Sequence, residues 1–232
     1  MLNSTQTFLS WLDTWIKNLP TAALENVTSP PGQTAIVSSD LLKGFCTEGP
    51  LASPRIAGIV SNAVDIFEHA HELGVPHYLL LEDAHEPEAV EFEAYPPHCM
   101  EGTKESETID ELKNLPFSDQ FTILPKNSTS ATTGTDLIPW LEDHPEVTTF
   151  IIVGDCTDIC VYQAAIELRV RANVLGQEDA RVVVPADCVQ TYDMPVEAAQ
   201  EVGALPHEGD LLNRIFLYHM ALNGIEVFAS LT

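Results

Sequence analysis

Three residues far apart in the chain, Asp40, Lys126 and Cys160, have the types needed for covalent hydrolysis by a thiol. Each follows a short β-rich run. Asp40 comes after Ile36-Val37-Ser38-Ser39, Lys126 after Ile123-Leu124-Pro125, and Cys160 after the turn Asp155-Cys156-Thr157-Asp158-Ile159. Cys160 falls in the first turn of a helix expected to open at Thr157 or Asp158, both good N-cap residues, where unpaired amides and the helix dipole favour a thiolate. A carboxylate such as Asp40 can take the thiol proton and return it to a departing amine, while Lys126 holds that carboxylate and stabilises negative charge. Singly, each has a plainer reading: Cys160 as a buried thiol, Asp40 as a turn or capping residue, Lys126 as a surface charge. Their common placement beyond strand ends favours chemistry.

A second group lies between Asp83 and Cys99. Asp83 and His85 point the same way if the chain is extended. His98 can return to complete a site for one divalent transition ion, Zn²⁺ with Fe²⁺ or Mn²⁺ as alternatives, leaving positions open for water or substrate. The plainer reading is a solvated acidic loop.

The elements that must position these groups read as alternating strands and helices. Strands are expected over 34–39, 77–82, 121–125, 148–154, 181–185 and 226–229, and helices over 53–73, 135–143, 157–173 and 210–223. This alternation predicts an α/β fold: a three-layer αβα sandwich with a six-stranded, mostly parallel sheet, helices on both faces and a site beyond the carboxyl ends of the strands. Connections over 83–107 and 186–209 are long enough to be functional. Near the start, Phe8, Leu9, Trp11, Leu12, Trp15, Ile16 and Leu19 recur at helical spacing until Pro20 stops the pattern. The chain therefore divides into a helical extension, 1–33, and a main domain, 34–232. The helix covers the chain's own core or docks on a partner subunit of a homo-oligomer.

At 232 residues the chain can bury one large core. Its 35 acidic against 10 basic residues give a net charge of -25, which repels phosphate backbones and anionic lipid, so neither nucleic acid nor a membrane is an expected partner. Five cysteines, an odd number in a chain too large to need disulfide staples, fit a reducing cytoplasm. No apolar run approaches membrane-spanning length, and the N-terminus lacks the pattern of a signal peptide, so neither insertion nor export is expected.

Gly154-Asp155-Cys156-Thr157-Asp158-Ile159-Cys160-Val161 matches a G-x-x-T-D-x-C-V segment, and Asp40-Leu41-Leu42-Lys43-Gly44-Phe45 matches D-x-x-x-x-F. With Lys126 after a central strand, the chain from about residue 34 onward resembles the isochorismatase-like cysteine hydrolases, and among them the nicotinamidases. The resemblance implies Cys160 as nucleophile with Asp40 and Lys126 as catalytic partners. It also implies a cis peptide between Asp155 and Cys156, with the Cys156 and Cys160 amides forming an oxyanion hole. Tyr95-Pro96-Pro97-His98 matches the nicotinamidase metal loop, with Glu91 standing where many members have a histidine; Glu88 and Glu93 are alternatives. Phe45 and Tyr95 would sandwich a flat heteroaromatic amide whose ring nitrogen meets the metal.

The function implied is metal-dependent deamidation of a small-molecule amide, nicotinamide, to nicotinate and ammonia through a Cys160 thioester. A related amidase acting on another small amide or carbamoyl compound is the main alternative. A silent binding protein of the same fold is a third, against which the retention of Asp40, Lys126 and Cys160 speaks. Glu91 in place of histidine, and Leu41-Leu42-Lys43-Gly44 in place of a more polar segment, are departures from the nicotinamidase pattern.

Overall fold

The computed structural model describes residues 2–232; Met1 of the expected extension lies outside them. The strands are β1 (Thr21–Ala22), β2 (Thr34–Ser39), β3 (His77–Asp83), β4 (Phe121–Lys126), β5 (Thr149–Asp155), β6 (Arg181–Pro185), β7 (Val189–Gln190), β8 (Glu226–Phe228) and β9 (Ser230–Leu231). Seven of them form one parallel sheet in the order β4-β3-β2-β5-β6-β8, with β7 also paired to β5. The sheet thus has one strand more than expected. Strand β7 is two residues long and follows a 3₁₀ turn, too short to carry a period-two pattern of its own.

The central strands β2 and β5 are buried along their whole length, which is why Thr-Ala-Ile-Val-Ser-Ser and Thr-Phe-Ile-Ile-Val-Gly-Asp read as apolar runs. Edge strand β4 instead alternates, leaving Ile123 exposed. On one face Ile36, Tyr78, Leu80 and Ile151 pack with Ala63, Ile66 and Phe67 of the Val60–Glu72 helix. On the other, Val37, Leu79, Leu81 and Ile152 pack with Ala164 and Leu168 of the Cys160–Leu175 helix and Leu217 of the Gly209–Leu222 helix. The chain runs outward from β2 through β3 to β4, then returns to place β5 on the other side of β2. That reversal makes the carboxyl ends of β2 and β5 the topological switch point, where sheets of this kind place their sites.

Two helix readings are corrected. The expected helix over 53–73 is two, Pro54–Ala57 and Val60–Glu72; Gly58, a poor helix former, ends the first. The expected helix over 157–173 runs Cys160–Leu175, with Ile159 rather than Thr157 or Asp158 at the cap. Thr157 instead gives its N–H to Gln190 O at 3.1 Å, and Asp158 turns its carboxylate to His207. The N-terminal helix, Leu2–Lys17, lies on the Gly209–Leu222 helix. Leu12 is buried there, Tyr218 meets Phe8, Trp11 and Trp15 edge to face, and Arg214 pairs with Asp13. Strand β1 pairs with β9, tying the start of the chain to its end.

Candidate active site

Asp40, the residue after β2, has φ of 55°, a left-handed conformation that aspartate tolerates better than most residues. Its N–H bonds to Leu81 O at 2.9 Å, and its Oδ1 accepts the Asp83 N–H at 2.8 Å, so the next strand holds both backbone and carboxylate. Lys126 ends β4, two strands away, and its Nζ lies 2.8 Å from Asp40 Oδ2. The same ammonium contacts Asp83 Oδ1 and donates toward Cys160 Sγ at 3.6 Å. Cys160 is the first residue of its helix, where amides have no intrahelical acceptor. Carboxylate oxygens of Asp40 and Asp83 and the sulfur of Cys160 lie within 4.8 Å of one another, all buried.

Two local features aim this turn. Gly154 has φ of 115°, and a side chain there would collide with the Ser39 carbonyl, so only glycine lets β5 lie against the end of β2. The next bond, Asp155-Cys156, is cis, as the resemblance implied. Cys156 is buried beside the Asp155 carboxyl, and all five cysteines are free thiols.

One lysine among these acids sets the charges. Burial works against the Lys126 ammonium, but Asp40 and Asp83 outweigh it and hold its pKa well above the ordinary value. Asp83 is also buried, yet the Lys126 ammonium keeps its carboxyl below the usual range. Asp40 differs: burial and then the Asp83 charge push it up to about 6, against the pull of Lys126. Asp155, buried with the charges of Asp40 and Asp83 nearby, is pushed well above the carboxylate range. Burial likewise raises the Cys160 thiol far above its ordinary value, with Lys126 opposing. The resting arrangement is a neutral thiol next to a carboxylate that titrates near neutrality.

The second group is also assembled. After β3 the loop turns back so that His85 N donates to Cys99 O at 3.0 Å and Glu101 N to His85 O at 3.0 Å, a short parallel pairing that carries His98 to His85. Their Nε2 atoms lie 3.4 Å and 3.6 Å from Asp83 Oδ2, and both rings are buried. His98 Nδ1 donates to Pro96 O at 2.9 Å, and His85 Nδ1 to Asn127 Oδ1 at 3.2 Å, an oxygen that also accepts the Glu86 N–H. Both histidines therefore present an Nε2 lone pair to the same point. His85 Nε2 is a buried polar atom with no hydrogen-bond partner. A carboxylate and two imidazoles so disposed fit a divalent transition ion.

Glu91 stands at the margin: Oε1 is 3.9 Å from His85 Nε2, while Oε2 accepts the Thr129 N–H at 3.1 Å. Glu88 and Glu93 are exposed, which leaves Glu91 as the loop glutamate facing the cluster. Phe45 is buried with its ring 5.5 Å from that of His98 and edge-on to it; Tyr95 is half-buried, 6.3 Å from His98. Burial, with Cys160 and Glu91 nearby, raises the Tyr95 hydroxyl.

Two participants escaped the sequence reading. Asn127 orients His85, and its signal was its position directly after Lys126 at a strand end. Phe92 packs edge to face on both His85, at 5.4 Å, and His98, at 5.8 Å, within a loop whose other residues drew attention by their charge.

Residues 34–203 match the isochorismatase domain model. The chain is 29% identical over 213 residues to nicotinamidase 1 of Arabidopsis thaliana, covering 85% of this chain and 86% of that one. Among solved structures, N-carbamoylsarcosine amidase of Thermoplasma acidophilum superposes with a TM-score of 0.63 at 24% identity, covering 84% of this chain and 95% of that one. The pyrazinamidase of Pyrococcus horikoshii in complex with zinc does so with a TM-score of 0.63 at 21% identity, covering 84% and 98%. These two likenesses concern the fold. With the domain match spanning most of its length, the chain belongs to the isochorismatase domain family.

Proposed function

We propose that this chain, a hydrolase acting on amide carbon–nitrogen bonds, deamidates nicotinamide to nicotinate and ammonia through a Cys160 thioester. What carries the reading is the juxtaposition at Asp83: Oδ1 meets the lysine of a thiol–carboxylate–lysine cluster, and Oδ2 faces two buried histidines. A 29% identical nicotinamidase gives it independent support.

Asp40 takes the Cys160 proton as sulfur attacks the carboxamide carbon; Lys126 stays protonated and steadies the carboxylate that remains nearby. The carbonyl oxygen gains the negative charge and is held by the amides of Cys156 and Cys160. Collapse breaks the carbon–nitrogen bond, and Asp40 returns its proton to nitrogen, releasing ammonia. Water, deprotonated by Asp40, then attacks the thioester, freeing the carboxylate and restoring the thiol. Asp83, His85, His98 and Glu91 would hold a divalent ion, Zn²⁺ first among candidates, which supplies a Lewis-acid anchor for the ring nitrogen. Phe45 and Tyr95 bound the space where a flat ring would lie.

The test is ammonia release from nicotinamide, pyrazinamide, carbamoyl compounds and unrelated amides, with elemental analysis of the same preparation and the Cys160→Ala protein as control. Turnover of nicotinamide by a metal-loaded enzyme is expected. Turnover of carbamoyl compounds with nicotinamide untouched would move the assignment to another amidase of the family.

A further inference from the structure

The site just described takes no side chain from the 186–209 connection. Within it, residues 195–206 leave the sheet as an excursion containing the Val196–Val202 helix. Two hydrogen bonds close its base, Met194 N to His207 O at 2.7 Å and His207 N to Met194 O at 2.8 Å. From that base the His207 side chain reaches the nucleophile's turn. Its Nε2 is 2.7 Å from Asp158 Oδ2, its Nδ1 is 3.0 Å from Tyr192 O, and its ring stacks on Tyr192 with centroids 3.9 Å apart. Both ring nitrogens face oxygen atoms of the same neighbourhood.

Asp158 lies two residues before Cys160, and its side chain is only 7% exposed. Its Oδ1 has no hydrogen-bond partner, so the carboxylate hangs from His207 through Oδ2. Gly209 lets the loop close, because a side chain there would collide with the Tyr192 carbonyl that His207 holds. The result sets Tyr192 by the site: burial, with Tyr95, Cys156 and Asp158 nearby, pushes its hydroxyl up to about 12.

We propose that His207 is a positioning residue for the nucleophile. Paired with Asp158, it fixes the Cys156–Cys160 turn and ties the base of the 195–206 excursion to it, with Tyr192 set near Cys156. The pair costs little to break in stability, because it ties a loop rather than the core, but releasing it loosens the turn that carries Cys160 and lets the oxyanion amides drift. The proposal rests on the hydrolase reading above for its effect on turnover, and on the geometry alone for its effect on the thiol.

His207→Gln, Asp158→Asn and the double variant, made in the full chain, test it through kcat and through the rate at which iodoacetamide modifies each cysteine, followed by mass spectrometry. Each single variant should lose about tenfold or more in kcat, and the double variant should match the worse single within about twofold, as expected for two ends of one interaction. Alkylation of Cys160 should move the opposite way and speed up by about threefold or more, while buried Cys46, Cys99 and Cys188 stay unmodified, which general loosening would not allow. Unchanged Cys160 alkylation, or losses in kcat that multiply in the double variant, would overturn the clamp. If the wild-type protein releases ammonia from no amide, the hydrolase reading falls and alkylation still decides the clamp. Should His207→Gln fail to fold, Asp158→Asn decides by the same readouts.

Discussion

Asp40, Lys126 and Cys160 hang from the ends of three strands, whereas His85 and His98 hang from a single loop that doubles back on itself through a two-bond pairing. Asp83 belongs to both regions, giving one carboxylate oxygen to Lys126 and turning the other toward the two imidazoles. The strand-borne group inherits the rigidity of a buried parallel sheet, and its charges are settled by one lysine among acids. The loop-borne group depends on two backbone bonds and on Asn127 and Pro96, which fix the two rings. On the proposed mechanism, chemistry that needs close placement is carried by the sheet, and substrate anchoring by the loop.

The sharpest way to break this comparison is Cys160→Ala, which should abolish turnover, a loss of about 10³-fold or more, with an unchanged circular dichroism spectrum. Wild-type-like turnover would remove the covalent route altogether. Asp40→Asn keeps the shape but loses the proton acceptor, and kcat should fall by about 10²- to 10⁴-fold with KM little changed. A rise in KM with kcat unchanged would move Asp40 from proton transfer to binding.

Replacements in the loop should behave otherwise. His85→Ala and His98→Ala should each lower metal occupancy, measured by elemental analysis, and raise the nicotinamide KM by about tenfold. Iodoacetamide should still modify Cys160 in both, because the sulfur stands at a helix N-terminus and its lysine on β4, outside the loop. Full occupancy in the doubly substituted protein would sink the metal site and leave the cysteine hydrolase intact. The smallest effect belongs to Asn127→Ala, which frees the His85 ring without removing a ligand and should weaken metal affinity by about tenfold. If a metal titration shows no change there, the Asn127 bond is incidental.

Much of this was legible from residue order. Strands β2 and β6 fall at the expected residues, because their apolar runs end at Asp40 and Pro185 and have no helical period to compete with. The long-range grouping of Asp40, Lys126 and Cys160 was legible only through motif order and the rule that sites form at strand carboxyl ends. The start of the Cys160 helix was misread because Thr157 and Asp158 are good caps in isolation, while here a distant loop claims both.

By itself, the sequence determined the alternation of strands and helices, the residue types of the thiol–carboxylate–lysine group, and the D-x-H spacing, since these depend on local periodicity and chemical type. Only the tertiary structure decided which oxygen of Asp83 serves which neighbour, that burial pushes Asp40 up to about 6, and that His207 reaches Asp158. Those outcomes depend on distances between segments, several of them more than forty residues apart, and on the removal of water from a space that several strands close together; neither is encoded in any one stretch of chain.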